Sequence, residues 1–525
     1  MRKARVGEAV LCRIAFAICI VPISCTYLPC AISRALEIRK RLDPLHCREE
    51  LNSLSDLLSS AVLKANSLED SLTFLRLYAR LHWDNISGFF GNDELERSHF
   101  DIWGKTELAS DQRVLPEVDF LHVATQTYVQ GGHSRLLWKL GDGLSAFGSQ
   151  ALIVTQPRKR NHIANFPGPV VRLSGNSSQR AGAIVAAAQN ARSILLHNHP
   201  DDSAATFAAR ILRAQGKKVL FVNHADHVFT LGPGAGDVVL EICMTGWKTT
   251  RDRRHAHAQS FMGIPIVDDD QPRPVHEAPK DGPIVSVGGP GKFEPSDELS
   301  FPKFLMDLLP HVRNEVILVG PSHKEPWWSE VLEAFPGRVS LRGRVAPEEV
   351  AEIMRSASCY VDSFPLDGGT AYPQAAAAGL PGFAPNAFDA SGVSPTEKLR
   401  FPTLDAMREA LIAYLNEEAE YPFDLEAVRD QLWEDFSTSA VAQRVANAAE
   451  GNYCERLPYL VPLGMRDSDY NARRWDVLGR VHLPKRQWKG LSLRGRHQFW
   501  KAVREASLPS ETRKTIAKRL LLQWV

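Results

Sequence analysis

Two glycine-bearing loops carry the residues best suited to chemistry. The first runs from Asp362 to Pro381 and reads Asp-Ser-Phe-Pro-Leu-Asp-Gly-Gly-Thr, then Ala-Tyr-Pro-Gln-Ala-Ala-Ala-Ala-Gly-Leu-Pro. Gly368 and Gly369 lack side chains, so a ligand can approach the backbone closely. A helix expected from about Thr370 to Ala378 follows, and its free N–H groups and positive dipole end suit a diphosphate. Thr370 adds a hydroxyl, as N-cap or as ligand donor. The second loop is Gly288-Gly289-Pro290-Gly291-Lys292-Phe293, after an apolar run at Ile284–Val287. Gly289 permits close approach, and Lys292 is placed to neutralise a phosphate. Taken singly, each loop also fits an ordinary glycine turn.

A third group is imidazole and carboxylate. His133 follows a strand beginning at Phe120, inside Gly131-Gly132-His133-Ser134-Arg135. His197, His199, Asp201 and Asp202 follow the strand Ile194–Leu196, and His224, Asp226 and His227 follow Val219–Val222. In parallel α/β sheets ligands bind beyond the C-terminal strand ends, where these residues stand. His-x-His spacing is a weak metal signal, and no Cys-x-x-Cys pair occurs, so no metal site is expected. Arg251, Arg253 and Arg254 form a short basic run that reads as a solvated face.

The elements that must position these groups alternate. Short apolar strands at 120–125, 151–155, 170–173, 194–196 and 219–222 are separated by helical stretches, which predicts a Rossmann-like parallel sheet over 116–267. A polar, proline-bearing linker is expected at 268–283. A second unit follows over 284–450, with strands at 284–287, 316–319, 339–341 and 359–361 and a helical stretch at 425–449. Leucines at helical spacing predict a helical cap over 34–115.

The totals bound the rest. A chain of 525 residues implies two or three domains, and 44% hydrophobic content supplies real cores. A net charge of +1 argues against bulk attraction to nucleic acid. The charge is uneven: from Arg466 onward there are 15 Lys/Arg against 5 Asp/Glu. That basic extension, 451–525, has a last helix expected at Glu511–Trp524. It suits either peripheral contact with an anionic membrane or packing back onto the protein. Residues 1–33 read as an apolar leader or an anchor. The sparse cysteines of the body fit a reducing, cytoplasmic setting.

The stretch 362–381 resembles the donor-diphosphate loop of two-domain (GT-B fold) glycosyltransferases, and is nearest to the O-linked N-acetylglucosamine transferase-like group. Phe364, Pro365, Gly368, Gly369, Thr370, Gly379 and Pro381 match in register. Asp367 stands where that group has Asn, and Gln374 where it has the Glu that holds the donor ribose. The resemblance implies a nucleoside-diphosphate sugar, most simply a uridine one, held by Gly289, Lys292, Arg342, Asp367, Gly368, Gly369, Thr370 and Gln374. Gly131, Gly132 and Arg135 would form the acceptor-side loop. His133, His199, His224 or Asp226 would be the base on a glycan, lipid or small-molecule acceptor, with inversion and without a cofactor. A nucleotide-sugar epimerase and a non-catalytic nucleotide-sugar-binding scaffold are the alternatives.

Overall fold

The computed structural model describes residues 44–85, 87–108, 115–128, 131–157, 166–226, 228–269, 278–296, 299–386, 392–455, 481–485 and 487–521. The stretch 1–33, residues 270–277 of the expected linker, His227, Trp475 and Trp524 lie outside the described residues.

The first domain is a parallel sheet of β1 (Val118–Ala124), β2 (Gln150–Val154), β3 (Val170–Arg172), β4 (Ala191–His197), β5 (Lys218–Val222), β6 (Val238–Glu241) and β7 (Gln259–Phe261). Their order is β3-β2-β1-β4-β5-β6-β7. β2 is buried along its whole length, as a strand covered by helices on both faces must be. The chain reverses direction across the sheet between β1 and β4, which opens a crevice at their C-terminal ends.

The second domain repeats the plan. β8 (Ile284–Val287), β9 (Val316–Val319), β10 (Val339–Gly343), β11 (Cys359–Val361), β12 (Gly382–Pro385) and β13 (Arg400–Phe401) stand in the order β10-β9-β8-β11-β12-β13. Its switch point lies between β8 and β11, whose outgoing loops are the two glycine loops. This is the expected pair of Rossmann-like domains in the GT-B arrangement. β6, β7, β12 and β13 were not expected; they extend one edge of each sheet.

The stretch expected as one helix at 425–449 is two, Leu425–Asp435 and Thr438–Ala449. The break falls at Phe436, whose carbonyl accepts from Ile266 N, and the Ser437 side chain caps the second helix through Ala440 N. That second helix leaves its own domain and packs on Gly132–Leu144. A Cβ on Gly143 would lie 2.8 Å from Ala442 Cβ, so glycine is what allows the approach. Val441, Ala442 and Val445 are buried among Leu136, Leu140 and Leu144 of the first domain.

The N-terminal helices Pro44–Leu63, Leu68–Asn85 and Asp93–Trp103 and the C-terminal helices Leu493–Glu505 and Ser510–Leu521 form one helical body. Leu54, Phe74 and Leu77 share a core with Trp488, Phe499, Val503 and Ile516. Asp70 accepts the Ser492 amide and hydroxyl, which ties the two ends together. The apolar side of the last helix is therefore spent internally: Ile516 is 0% and Leu520 6% exposed. Among the described residues no helix is long and apolar enough to cross a membrane.

Trp488 lies at the centre of this joint, 2% exposed, its indole N–H donating to Pro484 O at 2.8 Å. Replacing Trp488 with Ala should lower unfolding stability by about 3–5 kcal/mol. Guanidinium unfolding of the full chain reads this, and a loss under about 1 kcal/mol would show that the tail does not brace the cap.

Candidate functional site

The loop after β11 is built from below. Asp362, fully buried, accepts the Ser363 amide at 3.0 Å and the Gly368 amide at 2.9 Å through Oδ1. A Cβ on Gly368 would fall 2.3 Å from that oxygen, so only glycine closes this turn. Gly369 then adopts φ 61°, the left-handed region. Arg400 lies beneath, its Nε 2.6 Å from Glu397 and its Nη2 3.6 Å from Asp362 and 3.5 Å from Asp367. Burial pushes the Asp362 carboxyl up to about 7; Arg400 opposes the shift and Asp367 adds to it.

This frame sorts the expected donor residues. Asp367 is 9% exposed and turned toward Arg400, so its carboxylate serves the anchor. Its carbonyl accepts from Lys292 Nζ, which brings the β8 loop onto the β11 loop. A Cβ on Gly369 would lie 3.6 Å from the same Nζ. The Gly368 amide is occupied by Asp362, whereas the amides of Gly369 and Thr370 have no partner among the described residues. Thr370 begins the helix Ala371–Ala377 without a side-chain cap, leaving its hydroxyl for other use. Gly289 faces open space. Arg342 is exposed on β10 and makes no hydrogen bond or ion pair among the described residues.

The first domain answers from across the cleft. Gly131 has φ 130°, and both it and Gly132 face open space. Arg135, in the first turn of the following helix, reaches the second domain. With the Gln374 amide oxygen turned toward the guanidinium, Gln374 accepts from Arg135 Nη2 at 2.8 Å and Nη1 at 2.9 Å. The two switch points thus touch, and the cation at the contact meets a neutral amide.

Beside that contact the four proposed bases separate. His133 and His224 lie together, ring centroids 4.2 Å apart, and burial lowers the pKa of each. His133 Nε2 donates to His197 O at 2.9 Å. His199 instead sits under Trp83 of the cap, centroids 4.1 Å apart, with Nδ1 2.6 Å from Asp201. Asp226 accepts from the Cys243 thiol at 2.9 Å. The geometry groups His133 with His224 and sets the other two in separate networks.

Arg254 corrects one expectation. It is not on a solvated face but 7% exposed, and it donates to Phe90 O, the Asn223 side chain, Ala225 O and Val228 O. A guanidinium's forked donors suit such a cluster of carbonyls. It thereby fixes the segment that carries His224. The sequence hint was the hydrogen-bond need of any buried arginine, which a short basic run conceals. His122, within β1, and Gln150, at the start of β2, continue this histidine network from below and were not expected.

Among the described residues no three His, Cys, Asp or Glu side chains are grouped to hold a metal ion. Neither a protein-family profile nor a curated protein matches the chain. Solved structures similar to it include Anabaena HepE with UDP and glucose, at 12% identity and TM-score 0.47, covering 63% of this chain and 100% of that one. A Rickettsia africae glycosyltransferase is similar at 12% identity and TM-score 0.45, covering 64% and 99%. A Thermobaculum terrenum O-GlcNAc transferase mutant is similar at 12% identity and TM-score 0.42, covering 82% and 76%.

Because the folded-state pKa of Asp362 is raised above its ordinary 3.8, the folded chain binds the extra proton between about pH 4 and about pH 7. Its contribution to stability is full below that window and falls as pH rises through it, by at most about 1.4 kcal/mol per pH unit. Asp362→Asn keeps an acceptor for the Ser363 and Gly368 amides and removes the titration. Thermal and denaturant unfolding from about pH 4 to about pH 7 should show a shallower decline in the variant. Identical slopes would mean that Asp362 is not the titrating group.

Proposed function

We propose that the cleft binds a nucleoside-diphosphate sugar, uridine-linked, and transfers its sugar to a hydroxyl of a glycan, lipid or small molecule. One observation carries this reading. Lys292 lies against Asp367 and Gly369 of the β11 loop, the next amides of that loop are open, and Arg135 of the first domain bonds Gln374 one turn further along the helix. Four cationic or N–H-bearing groups along one side of a cleft suit a diphosphate, and few other ligands need so many donors.

The chemistry follows from charge. As the glycosidic bond to the diphosphate breaks, the electron pair passes to the phosphate oxygen. Lys292, Arg135 and the two amides stabilise that negative charge where it develops. In this reading they supply the charge compensation and no metal is required. The acceptor oxygen loses its proton to an imidazole of the His133–His224 pair and attacks the anomeric carbon from the opposite face, which inverts it. An epimerase would instead need acid and base carboxylates beside the sugar. The nearby carboxylates, Asp201 and Asp226, are already engaged by His199 and Cys243.

Calorimetric titration with UDP and with GDP tests this directly. UDP should bind at one site, and Lys292→Ala and Thr370→Ala should each weaken it by about 1–3 kcal/mol. Incubating the UDP-sugar alone and following the donor by NMR separates transfer from epimerisation. Accumulation of a C2 epimer without any acceptor would replace the transferase reading. Binding of neither nucleotide would remove the donor site.

A further inference from the structure

Beneath His224 runs a line of buried polar groups with a defined direction. Gln150 is 4% exposed at the start of β2. Its Nε2 donates to Gly141 O at 2.8 Å and to Ser145 Oγ at 3.1 Å, and Ser145 gives its own proton to Gly141 O. Both contacts are acceptors for the amide nitrogen, so the amide orientation is fixed. Gln150 Oε1 therefore faces His122 Nε2, 3.0 Å away, and an amide oxygen only accepts.

The tautomers follow one from another. His122 must carry its proton on Nε2, which leaves Nδ1 as an acceptor. His197 Nε2 lies 3.1 Å from that Nδ1 and must donate to it. His197 Nδ1 is then an acceptor, and His224 Nε2 lies 3.0 Å from it and donates in turn. His224 Nδ1 is left without a proton. It is the one nitrogen of the three rings with no partner among the described residues. All three rings stay neutral, since burial in the sheet lowers each of their pKa values.

We propose that Gln150 is a positioning residue whose amide oxygen orders the tautomers of His122, His197 and His224, so that the last imidazole keeps a bare Nδ1. Three neutral imidazoles in a row can order in either direction. In the opposite direction His224 Nδ1 carries the proton and cannot act as a base. Gln150 decides between the two because it offers only an acceptor. Resting on the transfer proposed above, the acceptor hydroxyl gives its proton to His224 Nδ1 as its oxygen bonds to the anomeric carbon and the diphosphate leaves with the bonding pair. The resulting charge spreads toward His197 through the His224 Nε2–H, which raises the basicity of Nδ1 above that of an isolated buried ring.

Long-range proton–nitrogen NMR of the full chain labelled with nitrogen-15 histidine, near neutral pH and without substrate, reads each tautomer. The proposal expects Nε2–H with bare Nδ1 at His122, His197 and His224. In Gln150→Leu, His224 should populate Nδ1–H. With the donor and a working acceptor, the same variant should lose roughly 10-fold or more in kcat at little change in the donor KM. Nδ1–H at His224 in the wild type, or an unchanged His224 tautomer in Gln150→Leu, overturns the proposal. If that variant does not fold, the wild-type spectrum alone decides the ordering. A wild type with the expected tautomers but no sugar transfer would count against the transfer reading and leave the ordering intact.

Discussion

One buried carboxylate organises the second domain's half of the cleft. Asp362 leaves β11 and folds the next six residues back onto itself by accepting the Gly368 amide. That single bond explains the glycine at 368, the left-handed residue at 369 and the outward turn of the two amides that follow. It also explains why Arg400 is present: a carboxylate with no water around it needs a cation nearby. Arg400 in turn draws in Glu397 and Asp367, so four ionisable side chains lie beneath the loop that Lys292 touches from β8.

The first domain meets this loop through a contact of mixed character. Arg135 gives two hydrogen bonds to the uncharged Gln374. A glutamate at 374 would neutralise the guanidinium and hold the domains together by charge. The amide instead supplies two hydrogen bonds and no charge. The departure at 374 from the resembling loop thus has a physical reading: the direct partner of Arg135 is neutral, and the carboxylate that acts on it, Asp268, is itself paired with Lys139.

Much of the fold was legible in the sequence. The alternation of strands and helices gave both sheets, because buried parallel strands are apolar runs bounded by turns. A two-residue strand such as Arg400–Phe401 carries no such signal and exists because a neighbouring strand offers an edge. The break at Phe436 also escaped notice, since both helices are amphipathic and only tertiary packing sends the second to the other domain. The juxtaposition of the two glycine loops through Lys292 was readable from their places after β8 and β11. Asp367 pointed the other way once a buried arginine was present to receive it. Gln150 and His122 were hidden because a polar residue at or within a strand reveals its partners only when the strands are side by side, and Arg254 because a basic run reads as surface.

A crystal structure of the full chain with UDP tests the central claim most directly. The account predicts the diphosphate between Lys292 Nζ and the amides of Gly369 and Thr370, with Arg135 released from Gln374 and bonded to a phosphate oxygen. UDP seated elsewhere, or seated in the cleft with Arg135 still on Gln374 and Lys292 still on the Asp367 carbonyl, would contradict it.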